Sequence, residues 1–224
     1  TDTLLNMGEE GFGSQTSSFA WSDTQNTLYA ISGANALQLM ACTFTDSGSF
    51  VISAVEENAG NEGNIAISGE RVFYADSVSG QVYEITQTRR LLTSGMNIKI
   101  PPDGKKLLVL EIKPGENEQV GTSLKLCDVE SGETTLITGG GEIIDYCFAQ
   151  GNSIYYTDAS AGPAAKGYPY GLYVYDMAGA SPPELKALAS TPRMKAANGK
   201  LYFIDYVGEG DEGFYATYYY DLNT

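Results

Sequence analysis

Ile154-Tyr155-Tyr156-Thr157-Asp158 is a five-residue pattern that returns along the whole chain. Its echoes are Leu28 to Ser32 (LYAIS), Val72 to Asp76 (VFYAD), Leu107 to Glu111 (LLVLE) and Leu201 to Asp205 (LYFID), with first residues about 35 to 47 positions apart. That spacing belongs to a radial or solenoid repeat. The echoes are apolar at both alternating positions, as a strand covered on both faces requires.

The 224 residues include 26 Gly and 16 Tyr, and many short apolar segments are punctuated by Gly, Asn, Asp and Ser. No long helical period interrupts them, so the expected class is all-β. The formal net charge is -15 and histidine is absent. Phosphate backbones and anionic lipid surfaces are repelled by such a chain, which argues against nucleic acid as a partner. Without histidine, the usual base of Ser and Cys hydrolases and the commonest transition-metal ligand are missing. Cys42, Cys127 and Cys147 are too scattered for a disulfide framework or a CxxC metal site and read as buried small apolar residues. No apolar run is long enough to span a membrane.

Each echo lies inside a unit of four short strands, A to D, in which the echo is strand B. The A and B strands are joined by tight polar turns such as Pro102-Asp103-Gly104-Lys105, Gln150-Gly151-Asn152 and Asn198-Gly199-Lys200. Asn-Gly and Asp-Gly reach positive φ at little cost, which a short hairpin demands. The units run over about 17–55, 64–93, 97–138, 145–189 and 193–224 within a single domain, 1–224. The fifth unit ends after its C strand. Thr1-Asp2-Thr3-Leu4-Leu5-Asn6-Met7-Gly8 resembles the D strand of Glu133 to Gly139, so it is expected to complete the last sheet and remove an open edge. The reading is a five-bladed β-propeller of four-stranded antiparallel blades, closed by the N-terminal strand (residues 1–8). A fragment of a six- to eight-bladed propeller is the alternative.

Gly151 to Asp158, followed by Gly171-Leu172-Tyr173-Val174-Tyr175-Asp176-Met177, resembles the repeat of the YWTD-like and TolB-like bacterial propellers, including the domain of unknown function 5050 family. The resemblance implies an extracytoplasmic binding scaffold. The chain departs from the six blades usual in those families, and no catalytic motif can be carried onto it.

Propeller geometry puts the B-to-C and D-to-A connections at one end and the A-to-B and C-to-D turns at the other. The first set is long and acidic; the second is short and carries Arg71, Arg89, Arg90, Lys105, Lys106 and Lys200. Ligand is therefore expected at the acidic end. There Asp76, Glu111, Asp158 and Asp205 close equivalent B strands, where they could hold a hard cation, serve as paired carboxylates for glycoside cleavage, or brace their own turns. Tyr168 and Tyr170, held by Pro169, offer flat faces to a sugar ring or peptide side chain. Trp21 and most other tyrosines read as core.

No cofactor is expected; calcium is the alternative, for which Glu209 to Glu212 also offers oxygen donors at close spacing. The leading function is a non-catalytic ligand- or protein-binding propeller, monomeric and outside the cytoplasm, taking a protein or carbohydrate ligand. A carboxylate glycosidase and a structural domain cut from a larger surface protein are the alternatives.

Overall fold

A strand whose two faces are both apolar is stable only with a layer on each side, and this requirement organises the chain. The structure, a computed structural model, describes residues 15–33, 38–56, 64–76, 78–85, 89–101, 103–114, 120–149, 152–159, 170–178, 181–189, 191–207 and 214–222. Among them every regular element is a strand.

In the first sheet, β1 (Gln15–Ser22), β2 (Thr27–Gly33), β3 (Gln38–Phe44) and β4 (Phe50–Glu56) pair in chain order. The second has β5 (Asn64–Ser68), β6 (Arg71–Asp76), β7 (Gln81–Ile85) and β8 (Arg89–Ser94). The third has β9 (Asn97–Lys99), β10 (Lys106–Pro114), β11 (Val120–Asp128) and β12 (Thr134–Gly141). The fourth has β13 (Ile143–Ala149), β14 (Ser153–Asp158), β15 (Tyr170–Asp176) and β16 (Glu184–Ala189). The fifth, three-stranded among the described residues, has β17 (Met194–Ala197), β18 (Lys200–Val207) and β19 (Phe214–Asp221). The repeated motif is the second strand of every sheet. The expected N-terminal strand, Thr1 to Gly8, lies outside the described residues.

The hairpins follow from the turn chemistry. Asn26, Asn152 and Asn198 all have positive φ, at 48°, 67° and 51°, in the turns that lead into the second strands β2, β14 and β18. Asparagine tolerates that region better than other residues with a Cβ. Gly104 (φ 66°) does the same before β10, and a Cβ there would sit 2.6 Å from the Ser68 hydroxyl.

The chain divides into two compact units, Thr1–Glu111 with Leu126–Thr135, and Ile112–Lys125 with Leu136–Thr224. In the first unit the sheets stack face to face. Val72, Tyr74 and Tyr83 of the second sheet pack with Ile31 and Leu39 of the first. Phe73, Ala75 and Val82, alternating with them, pack with Ile98, Leu107, Val109 and Cys127 of the third. β6 is thereby buried along both faces from Val72 to Asp76. The Asn64 side chain ties second to third sheet by behaving as a backbone amide, donating to Ile98 O and accepting from Ile98 N, each at 2.7 Å. In the second unit the fourth and fifth sheets are joined in a related way. Asp145 Oδ2 accepts from Met194 N at 3.1 Å, and the Thr157 hydroxyl donates to Pro192 O at 3.0 Å.

Three core expectations need correction. Trp21 is 45% exposed, its indole N–H donating to Asp23 Oδ1 at 2.6 Å, on the same face of β1 as Phe19, which is 73% exposed. Tyr215, Tyr218, Tyr219 and Tyr220 are exposed on β19, the edge of its sheet among the described strands. Cys42 and Cys127 are buried, but Cys147 is only half-buried.

Leu107 and Leu108 are both fully buried on consecutive, oppositely directed positions of β10. Leu107→Ala and Leu108→Ala should each lower unfolding free energy by about 2–5 kcal/mol in urea titrations. A strand covered on one face would show that loss for only one of them.

Candidate functional site

The residues singled out at the acidic loop end are spread over both units. In the first, Asp76 closes β6 with its carboxylate buried in its own turn: Oδ1 accepts from Val78 N at 2.9 Å and Oδ2 from the Ser79 hydroxyl at 2.6 Å. Glu111 accepts from the Ser94 hydroxyl. In the second unit Asp158 is buried and Oδ1 accepts from Glu142 N at 3.0 Å. A Cβ on Gly141 would lie 2.2 Å from Asp158 Oδ2, so only glycine lets the chain pass that carboxylate. Two of the four acids thus brace backbone, as an Asp at a strand end commonly does.

Tyr170 opens β15, half-buried and paired with Ala189. Tyr168, Glu209 to Glu212 and the Asp205 side chain lie outside the described residues and side chains; the Asp205 backbone pairs with Ala216. Behind Asp158, Tyr156 and Tyr173 stack with centroids 5.2 Å apart and planes 12° from parallel. Burial pushes the Tyr156 hydroxyl up to about 12, with a hydrogen bond from Thr138 pulling the other way. It stays protonated at neutral pH. Among the described residues no cluster of three or more His, Cys, Asp or Glu could hold a metal ion.

Sequence reasoning missed a charged network in the first unit. Glu84 of β7 has a side chain only 6% exposed and takes both Arg71 and Arg90. Arg71 Nε donates to Glu84 Oε1 at 2.7 Å, while Arg90 donates to Oε2 through Nε at 3.0 Å and Nη2 at 2.5 Å. The arginines then reach across to the turn between β11 and β12. Arg71 Nη1 donates to Glu130 Oε1 at 2.6 Å, Arg90 Nη2 to Val129 O at 2.6 Å and Arg90 Nη1 to Glu130 O at 3.2 Å. The end expected to be basic is therefore mixed in charge here. A sequence signal existed: Glu84 stands between Val82-Tyr83 and Ile85 in a strand apolar on both faces, where a charge needs a partner. The register supplies one, placing Arg90 directly opposite.

Beside this network lies a cleft of about 570 Å³, lined by Ser68, Gly69, Arg71, Asp103, Gly104, Lys105, Asp128 and Glu130. Its volume is in the range of small-ligand sites. Asp128 is committed to its own turn, with Oδ1 accepting from Glu130 N at 3.1 Å and from Ser131 N at 3.0 Å. Those bonds hold its carboxyl below the usual range, those to Ser131 most strongly.

Burial pushes the Glu84 carboxyl up, but its bonds to Arg71 and Arg90 outweigh that and leave it below the ordinary carboxylate range. The stability it contributes is complete above the unfolded carboxylate pKa of about 4.3 and is lost as pH falls through the lower folded value. Acid unfolding followed by fluorescence should show that loss, and Glu84→Gln should flatten it. At neutral pH the variant should be less stable by about 3 kcal/mol, the low end for breaking a buried pair, since both arginines reach water.

The chain is similar in fold to several solved structures. No protein-family model matches it, and no curated protein does. A prolyl endopeptidase structure superposes with TM-score 0.62 at 12% identity, over 85% of this chain and 32% of that one. A TolB-type protein of Agrobacterium tumefaciens gives 0.58 at 16% identity, over 93% of this chain and 78% of that one. The β-propeller domain of the Trilobed protease from Pyrococcus furiosus gives 0.58 at 12% identity, over 92% and 69%. The chain thus spans about a third of the length of the prolyl endopeptidase it matches. At such identities the likeness establishes fold alone: the sheets are those of a β-propeller.

Proposed function

We propose that the chain is a non-catalytic binding propeller. It is a single domain of five blades, the last completed by Thr1 to Gly8 pairing beside β19, and it takes a protein or carbohydrate ligand at the acidic, tyrosine-bearing loops. Tyr168 and Tyr170 are the aromatic contacts, and Asp76, Glu111, Asp158 and Asp205 are the other ligand-binding residues. The protein works outside the cytoplasm as a monomer and needs no cofactor. The observation that carries this reading is the state of Asp76 and Asp158, two buried carboxylates already holding local backbone or hydroxyl donors. Carboxylates so engaged suit a rigid rim better than acid-base chemistry, in which an acid and a base or nucleophile must face a substrate.

Tyr218, Tyr219 and Tyr220 of β19 contact Tyr202 and Phe203 of β18 yet stay exposed, and the outer side of β19 has no partner among the described strands, which supports a further strand there. A second reading, that the chain is the propeller portion of a longer protein, is favoured by its match to about a third of an endopeptidase and to a separately solved propeller domain.

Titration with neutral oligosaccharides and with basic peptides tests the binding role. Saturable binding of one class is expected, weakened about ten-fold or more in Tyr168→Ala or Tyr170→Ala, as for an aromatic anchor. Affinity unchanged in both variants would remove the loop from the site.

A further inference from the structure

We propose that the cleft at the turn-bearing end of the first unit is a carboxylate-binding site, with Glu130 occupying it as an internal stand-in for ligand. The site is independent of the acidic loops. Its cationic walls are Arg71 and Lys105. Arg71 is positioned before any ligand arrives. Its Nε is fixed by the buried Glu84, and its guanidinium carbon lies 5.5 Å from the centroid of the Phe73 ring. The Nη1 edge is thereby directed to the cleft, where it meets a carboxylate, that of Glu130.

The two contacts of Arg71 differ in kind. Glu84 is buried and shared with Arg90, whereas the Glu130 side chain is 81% exposed. An exposed ion pair is worth little because water and salt compete for both partners. Glu130 can therefore yield to an incoming carboxylate that uses the same Arg71 donor, with Lys105 on the neighbouring wall as a second cation. The other acids of the cleft do not set up a cation site. Asp128 holds its own turn, and Asp103 Oδ1 accepts from Lys105 N at 3.2 Å. Gly69 and Gly104 put no side chains between the walls. The net charge of -15 and the Asp103, Asp128 and Glu130 carboxylates of the lining oppose anions; salt screens the long-range field within about 8 Å at physiological ionic strength, and the direct contact with Arg71 and Lys105 must outweigh the acids nearby. The ligand class is a carboxylate on a peptide, either a C-terminus or an acidic side chain.

Nuclear magnetic resonance separates the outcomes. Acetyl-glycyl-glycine as the free acid and as its amide, acetyl-glycyl-aspartate amide, and inorganic phosphate are each titrated into the labelled protein while the Arg71 side-chain N–H and the Lys105 and Glu130 amides are followed. Saturable shifts with the free acid but not with its amide are expected, and the aspartate peptide tells the two carboxylate sources apart. Glu130→Gln should tighten binding about two- to five-fold, the worth of a freed exposed pair. Lys105→Gln, which leaves the Arg71 and Glu84 contact in place, should weaken it. No saturable shift, equal binding of acid and amide, equal binding of phosphate, or an affinity unmoved by Glu130→Gln would each overturn the proposal.

Discussion

Burial of one strand from both sides is the constraint on which the structure depends. The second strands carry apolar groups at successive positions, so a single covering layer would leave half of them in water. β6 shows the resolution: its even-numbered side chains, Val72 and Tyr74, close against the first sheet, and Phe73 and Ala75 against the third. Stacked sheets follow from this, and so does the repeat, because a sheet inserted between two others must itself be apolar on both faces. Polar links between neighbouring sheets are specific. Asn64 in the first unit and Asp145 in the second use short side chains to take up the backbone groups of the next sheet's first strand. Packing supplies the attraction and these bonds set the height at which neighbouring sheets meet.

Much of this architecture was legible in the amino-acid sequence because it is local. Leu-Tyr-Phe-Ile-Asp and its echoes announce a two-faced strand, and Asn152 and Asn198 announce the turns before them. The charged network was not legible in the same way. Arg71, Glu84, Arg90 and Glu130 are up to 59 residues apart, and their meeting depends on strand register and on how the second sheet sits against the turn after β11. Arg71 and Arg90 read separately as surface cations of a basic end. Only Glu84, a charge embedded in an apolar strand, gave a local sign that a partner was required. Burial of Trp21 and of the β19 tyrosines was not legible for a related reason: strand membership does not say which faces another layer covers, and Tyr146 on β13 is buried whereas Trp21 on β1 and Tyr215, Tyr218, Tyr219 and Tyr220 on β19 are exposed.

The two ends of the sheets use charge differently. At the strand ends marked by Asp76 and Asp158, carboxylates are absorbed into backbone geometry and help shape the loops. At the turn end of the first unit, Glu84 organises two arginines whose outer donors reach a neighbouring turn. A buried acid holding exposed cations gives a rigid base with an exchangeable outer contact. That division between fixed and exchangeable ions is what separates a structural pair from a recognition element.

In the four-stranded sheets the second strands are covered far more thoroughly than the fourth, outermost strands. Native-state amide hydrogen exchange, read residue by residue, tests it most directly, since opening free energies rank segments by how much structure must come apart to expose them. The slowest-exchanging amides should fall in β6, β10 and β14, with the outer strands β4, β8 and β16 exchanging markedly faster. Protection in β6 no greater than in β8, or a slow set confined to the outer strands, would contradict the account.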